Sequence, residues 1–134
     1  MKQKFIYLSL ILFGITFLSC DSTVNNSITF QNLASNNVYV NFKGQRVDVP
    51  NGATVKLTAI DRGEYEYETI YELPIGATGS QTEGELAGTF TIKAGTKILV
   101  IYSSVFIDEV YTIYASVTTS DDLSIEEIIN PIGQ

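Results

Sequence analysis

Between Ser27 and Thr119 apolar residues recur at every second position, and this period of two constrains the fold more than any other feature of the chain. Ile28 and Phe30 share one parity of "SITFQN". Val38, Val40 and Phe42 share the next, and Val47 with Val49 and Val55 with Leu57 continue the pattern. In "EYEYETIYE", Glu64 to Glu72, Tyr65, Tyr67, Thr69 and Tyr71 take one face while Glu64, Glu66 and Glu68 take the other. Such segments bury one side and wet the other, which is strand behaviour. Leu86 to Ile92 and Val110 to Thr119 follow suit. Ile98 to Tyr102, "ILVIY", is apolar on both parities and predicts a central strand covered on both faces.

Turn chemistry separates these runs. Lys43-Gly44, Pro50-Asn51-Gly52, Asp61-Arg62-Gly63 and Ala94-Gly95-Thr96 carry residues that accept positive φ or start a turn, and Pro50-Asn51-Gly52 predicts a tight hairpin. Pro74 to Gly84, with three glycines and few apolar residues, reads as a long mobile loop. With no alternation of helix and strand, the expectation is an all-β chain: a single antiparallel β-sandwich of seven to eight strands over residues 27–134. Near the end, Ser124 to Glu127 fits a capping box. Ile125, Ile128, Ile129 and Ile132 then follow helical spacing up to the break at Pro131. A short C-terminal helix is expected, lidding an open end of the sandwich or docking a partner.

The start of the chain has a different chemistry. Met1-Lys2-Gln3-Lys4 is basic, and Phe5 to Leu18 is apolar apart from Ser9, Gly14 and Thr16. That run is about fourteen residues, whereas a membrane-spanning helix needs about twenty. A basic start before a short apolar stretch predicts a signal helix for export. It ends Phe17-Leu18-Ser19-Cys20, on the only cysteine of the chain.

This stretch resembles the lipobox of bacterial lipoproteins, in which a small residue precedes a cysteine at the end of the apolar run. Ser19 matches; Phe17 and Leu18 match only the looser form of the motif. The resemblance implies that the Cys20 thiol carries a diacylglyceryl group and that residues 1–19 are removed. The tether is then 20–26, and the outer membrane is the expected address, on its periplasmic or surface side. It also implies two or three acyl chains such as palmitate. Each buried CH₂ contributes about 0.8 kcal/mol, so several chains anchor durably where one does not. The β part is similar in strand number to immunoglobulin- and transthyretin-type sandwiches. It lacks the Cys–Trp–Cys core of antibody domains, since the chain has one Cys and no Trp. Residues 37–67, "NVYVNFKGQRVDVPNGATVKLTAIDRGEYEY", also resemble short repeat-type surface domains, which implies a binding or spacer role.

Composition excludes several function classes. Histidine is absent, so no His-based triad, proton shuttle or His metal site exists. One cysteine cannot form an intramolecular disulfide, and once lipidated it is no nucleophile. Fifteen acids against eight basic residues give a formal charge of −7, and both lysines of residues 1–19 leave with the signal. An acidic body is repelled by nucleic acid and anionic lipid alike, so no nucleic-acid partner is expected.

No catalytic residue, metal or cofactor is assigned. Asp121 and Asp122 lack the spaced acids of a dedicated calcium loop. The expectation is therefore a non-enzymatic, lipid-anchored envelope module that contacts another envelope protein or a glycan. Its candidate partner-binding residues are Phe106 and Ile107, apolar at a turn, together with Ile125, Ile128 and Ile129. The alternative is a carboxylate-based glycan-processing enzyme using pairs such as Asp108-Glu109 or Glu126-Glu127.

The anchor makes a direct prediction. Cys20→Ser should move the protein from the membrane pellet to the soluble fraction and abolish incorporation of labelled palmitate; equal membrane retention of the variant contradicts it.

Overall fold

The alternation folds into nine strands in two stacked sheets. The structure is a computed structural model and describes residues 26–121. The expected signal helix and C-terminal helix, with Cys20, Ile125, Ile128 and Ile129, lie outside those residues. The strands are β1 (Ser27–Asn32), β2 (Val38–Phe42), β3 (Gln45–Val49), β4 (Thr54–Thr58), β5 (Gly63–Tyr71), β6 (Gly79–Gly84), β7 (Ala87–Ile92), β8 (Thr96–Ile107) and β9 (Val110–Asp121). One sheet has the order β4-β1-β8-β9-β6 and the other β3-β2-β5-β7. Among the described residues there is no helix.

The core lies between the sheets and is built from the parities that the alternation marks. Ile28, Phe30, Ile98, Val100, Tyr102, Tyr111 and Ile113 come from the five-stranded sheet; Val38, Val40, Phe42, Val49, Tyr67, Phe90 and Ile92 come from the other. Phe90 joins the two layers. It stacks on Tyr67 at 3.9 Å and meets Phe30 across the interface at 6.3 Å. The Tyr65, Tyr67, Thr69, Tyr71 face points inward and the Glu64, Glu66, Glu68 face is exposed. Tyr67 is buried in the core, and Tyr65 and Tyr71 are partly buried against it.

Four expectations need correction. The sandwich is not purely antiparallel, because β1 pairs with β8 and β6 with β9 in parallel. Only two of the eight connections are hairpins within a sheet, β2–β3 and β8–β9; the other six cross between the sheets. A chain that changes layers can return in the same direction, so parallel neighbours need no crossover helix here. Second, nine strands replace seven or eight, because Gly79–Gly84 within the expected loop forms the edge strand β6. Third, Pro50-Asn51-Gly52 turns between the sheets and makes no hairpin. Its Ala53 N–H donates to Pro50 O at 2.9 Å, with Gly52 at φ +78°. Fourth, "ILVIY" is central but covered on one face only: Leu99 is 36 % exposed and Ile101 half-buried.

Both flanks of the sandwich are closed by short corners from edge strand to edge strand, β3 to β4 and β6 to β7. At the second corner Gly84 has φ +87°, and a Cβ there would stand 2.1 Å from Ala115 O. Glu85 follows and bridges the layers. Its N–H donates to Ala115 O at 2.9 Å, and its carbonyl accepts from the Tyr67 hydroxyl at 3.0 Å. At the first corner Asn32, wholly buried, donates from Nδ2 to Val49 O at 2.8 Å and to Asn36 O at 3.0 Å. Its Oδ1 accepts from Ala34 N–H at 2.9 Å.

Two substitutions test these corners by denaturant melting. Asn32→Ala leaves buried carbonyl and amide groups unpaired and should cost about 2–4 kcal/mol. Gly84→Ala combines strain with a clash and should cost about 2–3 kcal/mol or more. A loss under about 0.5 kcal/mol in either contradicts the corner geometry.

Candidate binding surface

The two ends of the sandwich differ. At the base, Ser27 pairs with Lys97 and Thr96 with Asp121, so the described chain enters and leaves side by side. The opposite end is the tip of hairpin β8–β9. It lies ten positions up β8 from Lys97, roughly 33 Å at the rise of a strand.

Asp108 and Glu109 form the two-residue turn of that hairpin, with Ile107 and Val110 as the flanking pair. Their φ values are +51° and +65°, as a type I′ turn requires, although neither residue is glycine. The Glu109 carbonyl accepts from Thr78 N–H at 2.8 Å. The segment between β5 and β6 is thereby fastened to the tip.

β8 outruns its neighbour. Its pairing with β1 ends at Asn32–Tyr102, and among the described residues no strand continues beside Ser103–Ile107 on that side. The chain after β1 gives one more backbone bond, Leu33 N–H to Tyr102 O at 2.8 Å. It then turns inward, where Ser35 N–H donates to Ser104 Oγ at 3.0 Å. Tyr102 O points toward β1, and backbone directions alternate along a strand. The N–H and C=O groups of Ser104 and Phe106 therefore point to the open edge, while Ile107 faces β9.

Apolar side chains surround this edge. Phe106 is 44 % and Ile107 63 % exposed, and Val105 on the same strand and Leu33 at the turn after β1 are exposed too; Leu73 and Ile75, also exposed, belong to the segment between β5 and β6. Two of the five candidate partner-binding residues, Phe106 and Ile107, thus lie together at the tip, and the other three lie outside the described residues. Leu33, Leu73 and Ile75 were not marked by the sequence, because they stand singly among polar residues and carry no period.

Beneath the tip the polar groups are unequally served. The Tyr102 hydroxyl is 2.8 Å from Thr69 Oγ1, joining β8 to β5, and burial pushes its pKa up to about 12. Tyr111 is wholly buried, its ring 6.0 Å from that of Tyr71, and its hydroxyl has no hydrogen-bond partner in the structure. On the outer face of the four-stranded sheet, Arg46 stacks over Tyr39 at 3.8 Å and pairs with Asp48 at 2.8 Å. The Tyr39 hydroxyl donates to the Glu72 carboxylate, which holds the Tyr39 pKa above its ordinary value.

A depression of about 500 Å³ lies toward the base beside Lys43, Tyr65 and the three glutamates of β5. Glu64, Glu66 and Glu68 stand in a row on one strand there. Among the described residues no three acidic side chains converge as a metal site would need.

No protein-family model matches the chain, and no curated protein matches it either.

The two buried tyrosines predict opposite responses. Tyr111→Phe removes an unpartnered hydroxyl and should leave stability unchanged or raise it by up to about 1 kcal/mol. Tyr102→Phe leaves Thr69 unpaired and should cost about 1–2 kcal/mol. An unfolded chain ionises Tyr102 near 10.0 while the folded chain holds the proton to about 12, so stability falls as pH rises between those values. The slope should flatten in Tyr102→Phe, measured by thermal melting across that range.

Proposed function

We propose that this protein is a lipid-anchored, non-enzymatic cell-envelope module that binds another envelope protein by pairing an extended segment of it with the open edge of β8. The observation that carries this reading is the stretch Ser103–Ile107, which has no strand beside it on the β1 side among the described residues and lies at the end of the sandwich opposite Ser27 and Asp121. A row of free N–H and C=O groups at strand spacing is matched by another extended backbone, and by no lipid or glycan. Val105, Phe106 and Ile107 add apolar contact on both sides of that backbone.

The geometry suits a tether at the other end. A lipid on Cys20 would hold the base near the membrane and present the tip outward. The acids at the tip, Asp108, Glu109 and the nearby Glu72, favour a partner segment that is apolar with basic flanks. In this reading the chain is a bacterial lipoprotein whose sandwich serves the same purpose as immunoglobulin- and transthyretin-type domains: a rigid support for loops and edges. The glycan-processing alternative needs two carboxyl groups on opposite sides of a sugar. Asp108 and Glu109 are the adjacent turn residues of one hairpin, and Glu64, Glu66 and Glu68 share one strand and one direction, so the binding reading is preferred.

The test uses the full chain in intact cells with a photo-crosslinking residue at position 107. A discrete protein adduct is expected. Phe106→Pro, which removes the ring together with an outward-facing N–H and no bond of the β8–β9 ladder, should abolish the adduct and leave melting within about 1 kcal/mol. Phe106→Ala should weaken it less. An adduct that survives Phe106→Pro, or crosslinking to lipid or glycan alone, overturns the proposal.

A further inference from the structure

In the base half of the five-stranded sheet β4, β1, β8 and β9 lie side by side. Lys56 is beside Thr29, Thr29 beside Leu99 and Leu99 beside Thr118. The outward side chains there are serines, threonines and a glutamine around Leu99 and Ile101. Leu99 is 36 % exposed and Ile101 half-buried. Among the described residues Lys56 and Lys97 are the only charges on this patch, and both are exposed. Glu83, an acid that points the same way, is on β6 beside Tyr114, in the half toward the tip. The patch is therefore apolar at its centre and basic at its margin, in a chain with fifteen acids and eight basic residues.

We infer that residues 122–134 turn back at the base and pack as a short helix on this patch, with Ile125 over Leu99 and Ile129 over Ile101. Reach selects the occupant. The segment starts after Asp121, and Leu99 pairs with Thr118, three positions or about 10 Å back along β9. Val105 to Ile107 pair with Thr112 to Val110, nine or more positions away. The pattern of the segment fits as well. Ile125, Ile128 and Ile129 form one stripe of a helix, and a helix this short holds in water only against a surface. Ile125 and Ile129 stand about 6 Å apart along such a helix, against about 7 Å between Leu99 and Ile101 along β8. Asp122 and Glu126, four residues apart, flank the same side of the stripe, while Glu127 lies opposite and reaches back to Ser124. Charge agrees with this placement. Those two acids meet Lys56 and Lys97 here, whereas the outer face of the other sheet presents Asp48, Glu64, Glu66 and Glu68 and repels them. At the base end itself Ile60, Ile92 and Ile98 are buried, which leaves no apolar patch for a lid to cover. This inference does not depend on the strand-pairing proposal.

The test is disulfide trapping in the full chain, with Cys20→Ser carried throughout so that no third thiol competes. Ile101→Cys with Ile129→Cys should close a disulfide within one chain under mild oxidation, read as a shift on a non-reducing gel. Thr89→Cys with Ile129→Cys, which probes the outer face of the other sheet, should give none. Leu99→Ser changes an exposed position, so the sandwich should still melt as before. The same variant should be cut about tenfold faster after Glu126 or Glu127 by a glutamate-specific protease, because the segment loses its apolar contact. A 101–129 pair that fails to close overturns the inference, as does equal closure of the 89–129 pair or unchanged cutting in Leu99→Ser. A disulfide that links two chains also overturns it, and assigns the segment to a neighbouring copy.

Discussion

The position of β1 depends on two buried asparagines, one at each end. Asn26 donates from Nδ2 to Ile60 O at 2.8 Å and accepts from Thr96 N–H on its Oδ1 at 3.1 Å. Asn32 does the corresponding work at the other end, with three side-chain bonds to the chain around the first corner. Between them, five residues lie inside the sheet, pairing with β4 on one side and β8 on the other. An asparagine in a core is costly unless its donors and acceptors are met, and here they are met by backbone carbonyls and amides. Each end therefore ties strand termini of both layers to one side chain. Polar bonds at the ends of β1 thus add to the apolar layer in setting the two sheets relative to one another.

From that arrangement the rest of the architecture follows. With β1 fixed between β4 and β8, the chain after it must leave the sheet, and the inward turn through Ala34 and Ser35 takes it to the second layer. Among the described residues, the same turn leaves β8 without a neighbour on its β1 side beyond Tyr102. The open edge at the tip is thus a direct result of β1 being six residues long and β8 twelve. β9 stays paired over the same stretch, because β6 runs beside it from Gly79. One side of the hairpin is guarded and the other is not.

The sequence made the strands legible where burial is one-sided. Ile28 and Phe30, Val38 to Phe42, and the tyrosine and glutamate faces of β5 all lie as their parity says. It hid what depends on pairing partners. β6, "GSQTEG", has no large apolar side chain, because an edge strand closing a corner has little inner face to fill. "ILVIY" looks doubly buried, but its second apolar parity is outward, and composition alone does not separate a covered face from an exposed one. The parallel pairs leave no local mark at all. Phe106 and Ile107 stood out as apolar residues next to a turn, whereas the free backbone beside them was invisible without knowing where β1 stops.

The parallel contact of β1 with β8 has a consequence in time. Asn26 meets Thr96 across 70 residues of chain, and no earlier strand can take the place of β8 in the sheet. Such distant pairing makes closure slow, since the loop must form before the contact rewards it. Until β8 has been made, β1 has only β4 to pair with in its sheet.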